Sequence, residues 1–225
     1  MLYKNENDKK LAALEAVKYI KSDMVIGLGT GSTAYYAVEA IGEMVKSGLQ
    51  IKAVPTSEQT KQLAQSLKIP LIDINLIDTI DITIDGADEF TQNLDLIKGG
   101  GGALLREKIV ASVSKKNIII TDSSKRVNKL GKFKLPIEVI PFAINQVIGQ
   151  LKSSGGSGKI RMINDSAYVT DQGNYIVDAD FGLIENPKDL AEKLDRITGI
   201  VEHGLFINLA DIIIMAKDNN TYIFQ

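Results

Sequence analysis

The chain has no cysteine. That removes a disulfide framework and any thiolate metal site, and it suits a reducing compartment. It has a single histidine, His203. A zinc centre needs about three protein ligands, usually with several His or Cys among them, so no metal is expected. A Ser-His-Asp triad would have to use that one ring. Basic residues are not in excess either. The formal net charge is −2, and the basic footprint of a nucleic-acid binder is missing. No apolar run approaches the ~20 residues that span a bilayer. The first eight residues carry acids and no apolar core, so a signal peptide is not expected. These absences point to a cytoplasmic protein without nucleic-acid or membrane partners.

What is present is ordinary for a globular protein: 225 residues, 44% apolar and 24% charged. Helical spacing of apolar residues predicts a first helix over 8–21. Short apolar strands then alternate with helices: strand 24–28, helix 32–44, strand 50–54, helix 57–67, strand 81–84, helix 103–114 and strand 117–121. That alternation predicts a Rossmann-like parallel sheet covered on both faces. After Gly131 the pattern changes. Strand 137–140, helix 142–152, strands 159–163, 167–170 and 174–178, helix 186–197 and strand 200–203 follow. Asn186 and Pro187 suit the N-cap and first turn of that helix. This β-α-β-β-α-β order predicts a smaller ferredoxin-like α+β lobe. The expected division is 1–130 with 205–225 as the Rossmann-like α/β domain, and 131–204 as the lobe.

Three loops follow strands. The first reads Gly-Leu-Gly-Thr-Gly-Ser-Thr at 27–33. Its glycines and the helix N-terminus after them suit an anion. It lacks the Lys of a Walker loop, and its glycine spacing does not fit a dinucleotide site. Phosphate binding and a plain capped turn fit it equally. The second, Thr-Ser-Glu-Gln-Thr-Lys at 56–61, offers hydroxyls on Ser57 and Thr60, but an ordinary helix cap explains them as well. The third carries the most information. Asp85 and Asp88 leave the carboxyl end of an alternating strand, where open α/β sheets place ligands. Lys98 then precedes four glycines at 99–102. Such a run is costly in entropy and forms a cradle of N–H groups where the chain curls around a ligand. Glu107 follows on a helix face shared with Gly100, Ala103, Leu104, Val110, Ala111 and Ser114, all uncharged. A lone carboxylate there is desolvated, which raises its pKa toward a general base's range.

This ordered set resembles ribose-5-phosphate isomerase of the A type. The motifs are Gly-Thr-Gly-Ser-Thr at 29–33, Asp-Gly-Ala-Asp-Glu at 85–89, Lys-Gly-Gly-Gly at 98–101 and Arg-Glu-Lys at 106–108. The similarity continues through Asp-Ser-Ser-Lys at 122–125, Leu-Pro-Ile-Glu-Val-Ile-Pro at 135–141 and Gly-Leu-Phe at 204–206. Gly102 stands where many members have Ala, and Leu209 where Met is usual. The resemblance implies interconversion of ribose 5-phosphate and ribulose 5-phosphate in the pentose phosphate pathway, with no cofactor, in a homodimer or homotetramer, with 1–130 and 205–225 as the catalytic domain and 131–204 as the oligomer interface. It implies Glu107 as the base between C1 and C2, and Asp85 in ring opening and proton traffic. Asp88 and Lys98 would hold sugar oxygens and the enediolate. Thr30, Gly31, Ser32, Thr33, Ser57, Thr60, Gly99, Gly100 and Gly101 would bind the substrate, with Lys125 and Lys9 on its phosphate. His203 reads as a non-catalytic residue, and Arg161 as a lobe-surface or interface residue. Two alternatives stay open. A sugar-phosphate sensor would need an attached DNA-binding module, and an amino-sugar-phosphate deaminase commonly uses an active-site His.

Overall fold

The first helix, α1 (Leu2–Ala16), is prolonged by a 3-10 turn at Val17–Tyr19. It begins six residues before its expected start, because the polar run before Leu11 shows no apolar periodicity in sequence. The chain is described here from a computed structural model covering residues 2–225, with side chains from Glu6 onward. Next come β1 (Val25–Leu28), α2 (Ser32–Lys46), β2 (Lys52–Pro55), α3 (Glu58–Ser66) and β3 (Ile82–Gly86). Two short strands, β4 (Glu89–Phe90) and β5 (Leu96–Ile97), lead to α4 (Leu104–Ser112) and β6 (Asn117–Asp122).

The second half contains β7 (Leu135–Val139), α5 (Ile144–Ser153), β8 (Ser157–Ile160), β9 (Met162–Ile163), β10 (Ser166–Ala167) and β11 (Tyr175–Asp180). It ends with α6 (Pro187–Leu194), β12 (Ile200–His203), β13 (Leu205–Phe206), β14 (Ile212–Lys217) and β15 (Asn220–Phe224). No helix among the described residues is long and apolar enough to cross a membrane.

The large sheet runs in the order β15-β14-β6-β3-β1-β2. All its neighbours pair in parallel except β14 with β15. Successive residues of a strand point to opposite faces, and both faces here are covered. Ile118, Ile120, Ile212 and Ile214 pack with Ala12, Ala16, Val38 and Ile41 of α1 and α2. Ile119, Ile213 and Met215 pack with Phe90, Ala111 and Phe206 on the other side. That is why these strands read as unbroken isoleucine runs.

The second sheet is antiparallel, in the order β12-β7-β11-β8. With α5 and α6 on one face, it is the ferredoxin-like succession expected from sequence, packed around Ile137, Val139, Val147, Val177 and Leu194. The strand expected over 159–163 breaks at Arg161 into β8 and β9. The one expected over 167–170 shrinks to β10 and a single bridge, Val169 to Tyr175. The Asp171–Gly173 turn does form, closed by Gly173 N–H to Thr170 O at 2.9 Å.

Candidate active site

The parallel strands deliver their functional side chains at their carboxyl ends. Asp85 is buried at the end of β3. Its Oδ1 accepts the N–H of Thr30 at 3.0 Å and of Gly86 at 2.7 Å. Gly29 has to be glycine, because a side chain there would overlap Asp85. Lys98 is buried as well. Its Nζ lies 3.0 Å from Asp85 Oδ2 and 3.5 Å from Glu107 Oε1, and it donates to Gly86 O at 2.6 Å. Asp88 Oδ2 accepts the N–H of Gly100 at 2.7 Å. Positive φ at Gly99 and Gly102, +97° and +80°, bends the glycine run over the cluster.

Glu107 sits in the first turn of α4 and is 5% exposed. One oxygen faces Lys98. The other, Oε2, is buried with no hydrogen-bond partner among the described residues. Burial pushes the Glu107 carboxyl up to about 8, with Lys98 opposing the shift and the charges of Asp85 and Asp88 adding to it. The carboxylate is therefore desolvated, as its uncharged helix face suggested, but it is not alone. Burial pulls the Lys98 ammonium down. The charges of Asp85 and Glu107 outweigh that and hold it above its usual value.

These groups open onto a cavity of about 90 Å³. Of the residues singled out in sequence, Thr30, Gly31, Ser32, Thr33, Asp88, Lys98, Gly99, Gly100, Gly101, Glu107 and Lys125 line it. Gly31 precedes α2 without a side-chain cap, which leaves the helix's first N–H groups free for an anion. Lys9 reaches the same end, its Nζ 2.9 Å from Ser32 Oγ. A neighbouring groove is larger, about 690 Å³, but no charged side chain lines it. The chemistry lies in the smaller space.

Three expectations change. Asp85 does not line the cavity. It stands one layer behind, holding Lys98 and the Thr30 loop. Ser57 and Thr60 do not line it either. Both are buried, and Ser57 Oγ caps α3 by accepting the Thr60 N–H at 3.0 Å. Thr30 Oγ1 donates to Ser57 Oγ at 2.9 Å, and Thr60 Oγ1 donates to Gly29 O at 3.0 Å. These hydroxyls therefore shape the first loop from behind.

Sequence reading missed the contribution of the antiparallel lobe. Arg161 contacts the glycine run, and Tyr168 lies against Gly101 and Gly102. Nothing in the spacing of residues 99 and 161 announces that contact. His203 is buried outside the cavity, with Nε2 3.1 Å from Asp195 and Nδ1 accepting the Leu205 N–H at 3.2 Å. Burial and the nearby Lys108 push it down to about 4, so it stays neutral near pH 7. Asp195, Glu202 and His203 form a metal-like cluster. The Lys108 ammonium already sits in it, 2.6 Å from Glu202 and 2.7 Å from His203 O.

Residues 52–220 match the family model of ribose 5-phosphate isomerase A (phosphoriboisomerase A). The chain is 52% identical over 214 residues to a ribose-5-phosphate isomerase A of Listeria monocytogenes, covering 95% of this chain and 96% of that one. It is 50% identical over 212 residues to the protein of that name from Streptococcus gordonii, covering 94% of each. Its fold superposes with a TM-score of 0.95 on a solved D-ribose-5-phosphate isomerase in complex with phospho-erythronic acid. That pair is 42% identical, covering 98% of this chain and 99% of the other. The buried acid–lysine cluster at the strand ends lies within the matched region, and by sequence and by fold the chain belongs to the ribose 5-phosphate isomerase A family.

Proposed function

We infer that the chain interconverts D-ribose 5-phosphate and D-ribulose 5-phosphate through an enediolate, with Glu107 as the base. The observation that carries this reading is the buried, unpartnered Glu107 Oε2 beside a lysine and a glycine N–H cradle. A carboxylate oxygen left without a donor is costly, and a substrate carbon acid gives it a purpose. In the forward direction Glu107 takes the proton from C2 of the open-chain aldose and returns it to C1. A hydroxyl proton moves from O2 to O1, so the two isomers have the same composition. Lys98 and the glycine-loop N–H groups stabilise the oxyanion formed on the way. Asp88 reaches the cavity and handles sugar hydroxyls. Asp85 acts through Lys98, keeping it charged and in place. The phosphate belongs at the N-terminus of α2, with Ser32, Thr33, Lys9 and Lys125, where its contacts position the sugar for Glu107.

The same reading takes 131–204 as a separate lobe through which copies of the chain associate. Phe142, Met162, Ile163 and Val169 are exposed there, which supports a homodimer or homotetramer. Light scattering of the purified protein tests that state. A cytoplasmic location suits the absence of cysteine. The activity itself is tested by turnover of ribose 5-phosphate in D₂O. Deuterium should enter the product carbon, and no conversion of ribose 5-phosphate at micromolar enzyme would overturn the reading.

A further inference from the structure

The glycine run is held from the antiparallel lobe. Arg161 follows β8, and its Nη1 donates to Gly99 O at 3.1 Å and Gly100 O at 3.0 Å. The rest of the guanidinium is locked onto Asp178 of β11: Nε to Oδ2 at 3.0 Å and Nη2 to Oδ1 at 2.5 Å. Tyr168 packs its ring near the guanidinium, 5.8 Å from the centroid, and its hydroxyl donates to Gly101 O at 3.2 Å. Three successive carbonyls are thus drawn toward the lobe.

A trans peptide is planar, and its C=O and N–H point in opposite directions. Drawing the Gly99 carbonyl toward Arg161 turns the Gly100 N–H away, onto Asp88. Drawing the Gly100 carbonyl turns the Gly101 N–H away in the same manner. That N–H has no acceptor among the described residues, and Gly101 lines the cavity. Four glycines left to themselves would sample many peptide orientations. A bidentate Arg–carboxylate pair is the kind of rigid fork that fixes them.

We propose that Arg161, oriented by Asp178 and backed by Tyr168, is a positioning residue: it sets the peptide planes of the glycine run so that the Gly101 N–H faces the oxyanion. The proposal rests on the reading above that an enediolate forms in this cavity. Arg161 does not line the cavity, so it acts through the loop alone. A donor already aimed needs no reorganisation in the transition state. The lobe therefore supplies part of the catalytic geometry.

The test compares the parent with Arg161→Met, Arg161→Lys, Asp178→Asn and Tyr168→Phe. In Arg161→Met, kcat should fall about 10–100-fold, less than the ~10²–10³-fold of deleting an oxyanion donor outright. KM should stay within about 3-fold, because phosphate binding lies elsewhere. Affinity for phospho-erythronic acid, whose carboxylate carries the negative charge an enediolate would carry, should fall in step with kcat. Affinity for inorganic phosphate should not change. Arg161→Lys should recover part of the loss. A loss confined to KM, or kcat within 2-fold of the parent, overturns the proposal. If Arg161→Met does not fold, Asp178→Asn keeps the guanidinium but loosens it, and a several-fold loss of kcat at constant KM is expected there. Amide exchange gives a readout independent of turnover. The Gly100 and Gly102 amides should exchange faster in the variants while β7 and β11 keep their protection. Unchanged exchange overturns the clamp even if the enzyme is active. A parent that fails to convert ribose 5-phosphate overturns the functional reading instead, and the exchange result still decides the clamp.

Discussion

Glu107→Gln separates what the site costs from what it does. The folded-state pKa, about 8, lies well above the ordinary Glu value of 4.5. The folded protein therefore holds that proton longer than the unfolded chain does. For a carboxylic acid with a raised folded-state pKa, stability is full below the unfolded pKa. It then declines as pH rises toward about 8 and levels off above it. The decline amounts to about 3 kcal/mol by pH 7 and about 5 kcal/mol at its limit, taking 1.36 kcal/mol per pKa unit as the scale. Glutamine keeps the shape and cannot ionise, so the variant lacks this decline. The melting temperature of Glu107→Gln should gain on the parent by roughly 6–12 °C between pH 4 and pH 7, using the usual 2–4 °C per kcal/mol for a chain of this size. Over the same comparison kcat should fall about 10²–10⁴-fold, and deuterium incorporation should cease. The parent's kcat/KM should carry an acidic limb near pH 8. Scanning calorimetry across pH and a coupled assay measure both effects. A gap in melting temperature that does not move with pH, or a kcat within a few-fold of the parent, would refute the reasoning.

Lys98→Met removes the cation that opposes the Glu107 shift, so the acidic limb of the remaining activity should move above that of the parent in a pH–rate profile. Ser57→Ala should cost about 1 kcal/mol through the lost cap of α3 and leave KM within about 3-fold, whereas a 100-fold rise in KM in the steady-state assay would return Ser57 to the phosphate. Activity should survive exhaustive dialysis against EDTA, and loss of turnover restored by a divalent metal would refute a metal-free mechanism. His203, held neutral by burial and Lys108, has a folded pKa below its unfolded one, so it favours folding above pH 6.5 and less so as pH falls toward 4. His203→Gln should flatten that part of the stability curve measured by urea titration.

Much of this was legible in the sequence because the information was local or periodic. The isoleucine runs at 118–120 and 212–214 announce strands buried on both faces. Asp85, Asp88, Lys98 and Glu107 fall within one stretch between β3 and β6, so chain proximity stands in for spatial proximity. Hydroxyl groups gave no such guidance. Ser57 and Thr60 look the same in sequence whether they cap a helix, brace Thr30 or hold a phosphate, and only their burial tells these apart. Arg161 reads from sequence as a lobe-surface or interface residue because its partners, Gly99 and Gly100, lie about sixty positions away across another sheet. The break it makes between β8 and β9 has the same origin: a side chain turned to a distant loop leaves no periodic trace.

The return of the chain to the large sheet also bears on how the protein is made. Asn117 N–H donates to Asp211 Oδ2 at 2.7 Å across 94 residues, at the start of the β6–β14 pairing. During synthesis every acid of the site has emerged before β14 exists. Until then β6 presents an unpaired apolar edge, the kind of surface that invites aggregation. Parallel pairing over so long a separation is slow to form. The antiparallel lobe, encoded between the two strands, pairs wholly within itself, with His203 on Ile137 among its longest pairings, and can fold while β6 waits. A nascent chain arrested before residue 211 should therefore bind chaperones through that edge, and one released past β15 should not.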